Sequence, residues 1–328
     1  MPHIASELAI LSVGSPQHYG HLSAFPLLHP SPRTPFYLTL DEALAQGVVR
    51  ITEASKGGHV PELLLTNLGD LPILLLDGEE LVGAKQNRVL NLTVMASRKS
   101  ELIFPVSCVE QGRWHDVSGT FAAAPRDQYS AGRAAKVASV SQSLAAEGRA
   151  VSDQPGVWRD IAAKQARLEV ESPTGAMADL FQSAGPQIDA YVRAFSATPG
   201  QVGALFALGG RVAGLELFDC PQTFARLLPK LVRSYALDAI ECPGPGSPVP
   251  SLNGALALLR QVATSAVSAF PGVGMGQAIR LQSPTLVGAG LVVDGALVHL
   301  AAFRIEGNGP REVGWQGSRM ARPSQRFA

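Results

Sequence analysis

The feature that most narrows the fold is a pair of apolar runs, Thr285 to Val293 and Ala296 to Phe303, separated only by Asp294-Gly295. That dipeptide between β-type runs signals a two-residue hairpin, because both central positions of the favoured turn take positive φ. A second hairpin is written the same way, with Val202 to Leu208 and Arg211 to Phe218 flanking Gly209-Gly210. Between the two lies a helix whose Phe224, Leu227, Leu228, Leu231, Val232, Tyr235, Ala236 and Ala239 recur at three- and four-residue spacing, so one stripe is buried. Asp219 with Gln222 reads as its cap, and Pro243 to Pro250 ends it. A further helix is expected from about Asn253 to Phe270, with Gly272 to Gly276 as the connection to a strand.

The N-terminal half has a different rhythm. Val48 to Thr52, Glu62 to Thr66 and Ile73 to Leu76 are short apolar runs separated by Gly57-Gly58 and by Asn67 to Pro72. A longer hairpin comes next, Lys85 to Ala96 and Glu101 to Glu110 around Ser97 to Ser100. This is the spacing of a β-sandwich or half of a small barrel. Thr39 and Glu42 form a capping box for a short helix that Gly47 stops. Pro16, Pro26, Pro30, Pro32 and Pro35 make residues 14–36 read as an extended arm or irregular connection, since proline removes a ladder donor. The middle is helical: Ala134 to Glu147, Val157 to Leu168, Ala176 to Gln182 after Ser172-Pro173, and a restart at Gly185-Pro186 through Phe195.

The class is therefore α+β, with a β-rich N-terminal half that is sandwich- or barrel-like, a helical middle and a mixed C-terminal part of hairpins and helices. The expected organisation is a proline-rich arm at 1–36, a β-rich subdomain at 37–120, a helical and mixed subdomain at 121–304 sharing one core, and a flexible tail at 305–328. No internal repeat is present.

Charge and cysteine content exclude several classes. Lys+Arg and Asp+Glu are equal at 27 each, which leaves no electrostatic footprint for nucleic acid or an anionic membrane. No apolar run approaches the roughly 20 residues of a membrane span. Met1 to Val13 carries Glu7 and lacks a basic segment, so no secretory leader is expected. Cys108, Cys220 and Cys242 are too few and too scattered for a disulfide framework or zinc module, which fits a cytoplasmic protein. The oligomeric state is not legible in the sequence.

The densest polar stretch is Asp77-Gly78-Glu79-Glu80-Leu81-Val82-Gly83-Ala84-Lys85-Gln86-Asn87-Arg88, set between two apolar strands. Strand parity puts Gln86 and Arg88 on one face with Leu90, Leu92 and Val94. On the partner strand Leu102, Phe104, Val106 and Cys108 share a face that Glu110 continues. The register that pairs all the apolar members, Leu90 with Cys108 among them, predicts Arg88 opposite Glu110. Such a pair finishes a sheet structurally. Alternatively, Lys85, Asn87, Gln111 and Arg113 project from the other face, where amide and guanidinium groups suit phosphate or hydroxyl recognition. The candidate ligand-binding set is Lys85, Gln86, Asn87, Arg88, Gln111 and Arg113.

The run from Asp77 to Asn91 resembles the signature of the ADP-ribosylglycohydrolase- and rhodanese-phosphatase-associated protein family, as does Pro105-Val106-Ser107-Cys108-Val109-Glu110-Gln111-Gly112-Arg113-Trp114. Ser172-Pro173-Thr174, Gly214 to Asp219 and Leu228 to Tyr235 add support, and the resemblance spans roughly Val60 to Phe303. It implies a link to NAD or ADP-ribose metabolism and no defined reaction. Three functions stand as expectations: a binding or accessory module for a small nucleotide-like ligand, a hydrolase of an ADP-ribosyl or phosphorylated substrate with Glu79, Glu80 or Glu110 as acid–base groups, or a structural interaction protein.

Other chemistry is weaker. No resident cofactor is expected, although Asp77, Glu79, Glu80 and Glu110 are the carboxylates that would hold a hard cation such as Mg2+. Alternation separates Glu79 from Glu80 if that stretch is extended. Cys108 with His115 as base is disfavoured, because Cys108 shares the apolar face of Phe104 and Val106. His18 and His21 lack a third metal ligand. The glycine-rich segments Gly209-Gly210, Gly272 to Gly276 and Gly288 to Gly290 do not lie between a strand and a helix, as a dinucleotide fingerprint must. Trp114 and Trp158 read as core or rim aromatics.

Overall fold

A computed structural model describes residues 4–55, 61–115 and 117–305. Both expected hairpins form, and each turn has positive φ at both central positions: 49° and 76° at Asp294-Gly295, 56° and 80° at Gly209-Gly210. They sit at the centre of an antiparallel sheet ordered Ser12–Val13, Leu22–Leu28, Gln201–Leu208, Arg211–Phe218, Ala296–Arg304, Leu286–Val293, Gln277–Ser283 and Ala266–Pro271, with Gln17–Tyr19 also on Leu22–Leu28. Alternation divides its side chains between two layers. Phe206 and Ala301 join Phe224 and Tyr235 of the helix Pro221–Ile240 on one face. Leu205 and Leu300 join Leu258 of the helix Leu252–Thr264 on the other.

The N-terminal half is β-rich as expected. Six strands run Phe121–Asp127, Glu79–Gly83, Arg88–Leu90, Ser100–Cys108, Glu62–Asn67 and Val49–Glu53; three more run Val94–Ala96, Ile73–Leu75 and Leu38–Thr39. They share a core of Leu40, Leu63, Leu90 and Phe104. The Thr39–Glu42 capping box is present. The helical middle comprises Ser130–Glu147, Gln154–Arg167, Met177–Ser183 and Gly185–Ala194. The molecule is α+β. No helix among the described residues is long and apolar enough to cross a membrane.

Four local expectations need correction. Residues 14–36 are not an irregular arm, because Leu22–Leu28 is a buried strand that pairs with Gln201–Leu208. Its Pro26 lies past the end of the two-residue strand Ser12–Val13 and close to the bulge between Gln201 and Gly203, positions where a strand tolerates proline. The helix expected to reach Phe270 stops at Thr264; Ala266–Pro271 is an edge strand, and Gly272 to Gly276 closes its hairpin with Gln277–Ser283. The cap of Pro221–Ile240 is Cys220, whose Sγ accepts from Thr223 N at 3.4 Å, not Asp219.

The fourth correction concerns the polar hairpin. Leu90 pairs with Val106 and Arg88 with Cys108, two residues away from the expected register. Parity was right and the partner wrong, because a slip of two keeps every side chain on its face. The strand also breaks after Leu90. Asn91 is bonded by Ser107 Oγ at 2.5 Å and donates to Ala150 O at 3.1 Å, and Val94–Ala96 pairs instead with Ile73–Leu75. The Gly57-Gly58 turn and the expected tail from residue 306 lie outside the described residues.

Candidate functional site

Glu110 and Arg88 do not pair across the hairpin. Glu110 turns to Arg113 three residues on, with Arg113 Nη2 at 2.6 Å and Nε at 2.8 Å from its Oε2. Asn87 N donates to the same oxygen at 3.2 Å, and Thr174 Oγ1 donates to Oε1 at 3.0 Å. Burial raises the Glu110 carboxyl, but these donors and the Arg113 charge outweigh it and hold the group below its usual range. Arg113 spends its remaining donors on Ala84 O at 2.6 Å, His115 O at 3.2 Å and Asn87 Oδ1 at 3.0 Å. Gly112 is required here: a Cβ would stand 2.9 Å from Thr174 Cα, and Gly112 N donates to Thr174 O at 2.7 Å.

The expected ligand-binding set thus divides. Arg113, Asn87 and Glu110 brace one another. Gln86 is buried and accepts from Arg88 Nη1 at 3.2 Å. Arg88 is fully buried, with Nη2 3.9 Å from Glu53 Oε1 and its guanidinium 5.8 Å from the Trp114 ring. Gln111 and Trp114 face solvent, Trp114 at 47% exposure, and Lys85 Nζ stands 5.4 Å from the Trp114 ring centre. Cys108 is sealed in the core, and burial lifts its thiol to about 11 despite Arg88 nearby.

The carboxylates of the polar run do not converge. Each meets a different cation: Asp77 meets Lys136, Glu79 meets Lys230 at 2.6 Å, and Glu80 meets Arg126 at 2.6 Å. Glu79 and Glu80 do face opposite ways along an extended strand, as alternation requires. Glu80 is completely buried; burial raises its carboxyl against the opposing pull of Arg126, and Oε1 has no hydrogen-bond partner among the described residues. No group of three His, Cys, Asp or Glu side chains among the described residues could hold a metal ion. His18 bonds Ser23 Oγ at 2.9 Å, and His21 bonds Gly244 O at 2.9 Å.

Behind the run lies an interior charge network. Arg133 grips Glu216 through two bonds of 2.6 and 3.3 Å, both side chains fully buried. His299 bonds Thr93 Oγ1 at 2.8 Å, and Thr93 Oγ1 accepts from Asp77 N at 3.1 Å. Lys164 binds Asp238 at 2.6 Å. Asp127 is fully buried with both oxygens unpartnered among the described residues, and desolvation lifts it to about 7.

The family model for the ARG and Rhodanese-Phosphatase-superfamily-associated Protein domain matches residues 10–303. The chain belongs to this family. No curated protein and no solved structure matches it. The family match starts well before Val60, where the resemblance began, and so takes in the strand Leu22–Leu28. The stretches that resembled the family signature meet in space: Glu110 bonds Thr174, Glu79 bonds Lys230, and Glu216 lies beside Tyr235 OH at 3.5 Å.

The interior residues Arg133, Lys136, Glu216, Lys230, Asp238 and His299 were missed as a set. A signal existed. Lys230, Ser234 and Asp238 repeat every four residues, so they form a polar stripe beside the apolar one, and all three are buried. Glu216 and His299 are polar residues inside apolar strands, each fully buried.

Proposed function

We propose that the protein is a ligand-binding or accessory module of NAD or ADP-ribose metabolism that holds a nucleotide-like ligand at the corner formed by Trp114, Lys85 and Gln111. The observation that carries this reading is the mounting of Trp114. An exposed indole sits directly after an arginine whose donors are all engaged, with a lysine ammonium over its ring. An aromatic face beside a cation suits a nucleobase with phosphates attached. The rigid brace beneath it lowers the ordering cost of binding. The link to ADP-ribose metabolism rests on the family's name. The three cysteines are free thiols, which suits a reducing cytoplasm.

A thermal-shift series with NAD, ADP-ribose and nucleotides, with and without Mg2+, tests the reading. A specific ligand raises the melting temperature by mass action. No shift for any of them at millimolar concentration would remove it. The hydrolase reading has one observation in its favour, the raised Glu80 carboxyl, and it requires a conformation that opens that buried group. Release of product from an ADP-ribosyl substrate, lost in Glu80→Gln, would place it first.

A further inference from the structure

Most sheet ends in this molecule are closed to further pairing. Ser12–Val13, Gln17–Tyr19 and Leu38–Thr39 are only two or three residues long. Phe121–Asp127 has a register break and carries Pro125 and Arg126. Val49–Glu53 sets Arg50 and Glu53 along its length. Val94–Ala96 is buried, and Met275 N donates to Met95 O at 2.8 Å. Shortness, bulges, charge and cover are the devices that keep an edge from recruiting another strand. Ala266–Pro271 lacks all of them: it has six residues, no ionisable side chain and an unbroken register against Gln277–Ser283. Among the described residues no strand pairs with its other side, and Ala266, Val267 and Ser268 are exposed.

The ladder fixes which backbone groups this edge offers. Gly272 N donates to Gly276 O at 3.1 Å, which marks those two as a hydrogen-bonded pair. Alternation along the unbroken register then turns Phe270, Ser268 and Ala266 toward Gln277–Ser283. It turns the N–H and C=O of Val267 and Ala269 outward. Pro271, which has no N–H to give, falls on the outward side as well. A β-strand supplies donors and acceptors at that spacing, so the fitting partner is another strand.

The edge is complementary to itself. When two copies run antiparallel about a twofold axis at Ser268, Val267 of each meets Ala269 of the other and Ala266 meets Phe270, a smaller side chain against a larger one each time. Ser268 meets Ser268. No like charges come opposite one another, because the strand is uncharged and its exposed neighbours Gln277 and Gln282 are neutral. An isologous contact also uses up this edge on both copies, so pairing stops at two instead of running on into a fibre. We propose that Ala266–Pro271 is a homodimer interface through which the large antiparallel sheet continues from one copy into a second. The interface is independent of the Trp114 corner.

Sedimentation equilibrium of the full chain in reducing buffer tests this, with a dimer expected at micromolar concentration. Ala269→Pro deletes an outward N–H and no ladder bond within the sheet, and Val267→Lys puts a charge on the open edge. Each should raise the dimer Kd by about tenfold or more, while unfolding curves confirm that the variants still fold. A second measurement exposes Ser268→Cys and Val267→Cys to oxidised glutathione. Facing residues of a pair without ladder bonds stand about 4.5 Å apart at Cα, within disulfide reach, so Ser268→Cys should form a covalent dimer about tenfold faster than Val267→Cys. A parent that stays monomeric at about 100 μM would overturn the proposal and leave the edge to a strand of another protein or to residues 306–328. An unchanged Kd in both edge variants, or equal cross-linking by the two cysteines, would overturn it as well.

Discussion

Two carboxylate–guanidinium pairs in this molecule share the same chemistry and do different work. Glu110 and Arg113 are neighbours in sequence, lie near the surface and draw extra donors from Asn87 N and Thr174. Glu216 and Arg133 are 83 residues apart and fully buried. The first pair shapes a loop and presents Trp114 at its rim. The second ties the helix Ser130–Glu147 to the strand Arg211–Phe218 and so fixes how the layers meet. Where solvent is near, a charged pair costs little and can serve as a mount. In the interior the loss of one partner is costly, because an uncompensated buried charge is expensive.

The largest expected effect is in the interior. Glu216→Ala leaves Arg133 buried without its partner and should cost about 3–5 kcal/mol in denaturant unfolding. Replacing both, as Glu216→Leu with Arg133→Met, should recover most of that loss, since apolar residues of similar volume can replace a buried pair. A single-variant loss under about 1 kcal/mol would mean that water reaches the pair and would erase the contrast.

Asp127 supplies the next test. Its folded pKa is raised to about 7, so the folded state holds a proton that the unfolded state has already released. The penalty is absent below the unfolded value, grows as pH rises, and is complete above about 7. At about 1.4 kcal/mol per unit, Asp127→Asn should be more stable than the parent by a few kcal/mol at pH 8, and the gap should close by pH 4. A gap independent of pH would show that Asp127 is ionised throughout.

The rim pair should respond in the opposite sense. Glu110 is held below its usual range, so its contribution is present above the unfolded pKa and is lost as pH falls through the folded value. Glu110→Gln should cost about 1.5–3 kcal/mol at pH 7 and approach zero in strong acid. A cost that persists in acid would assign the effect to packing rather than to charge.

The legible parts of the fold were those with local causes. Asp294-Gly295 and the Thr39–Glu42 box each specify a geometry within a few residues, and both appear as read. The register of Arg88–Leu90 against Val106–Cys108 was not legible, since alternation fixes a face and leaves slips of two undecided. Leu22–Leu28 was hidden because the tolerance for Pro26 comes from neighbouring strands, not from its own segment. At the site, parity found the right residues and gave Glu110 the wrong partner. The interior charges were overlooked because Lys230 and Asp238 look like the solvated face of an amphipathic helix until strand Phe121–Asp127 and helix Ser130–Glu147 cover them.

If the rim pair is a mount for Trp114, the indole itself adds little to stability and much to binding. Calorimetric titration of ADP-ribose into the parent and into Trp114→Ala, alongside their unfolding curves, separates the two contributions. The expected result is measurable binding to the parent, loss of that binding in the variant, and unfolding free energies within about 0.5 kcal/mol of each other. Equal binding by both proteins, or none by the parent at millimolar ADP-ribose, would contradict it.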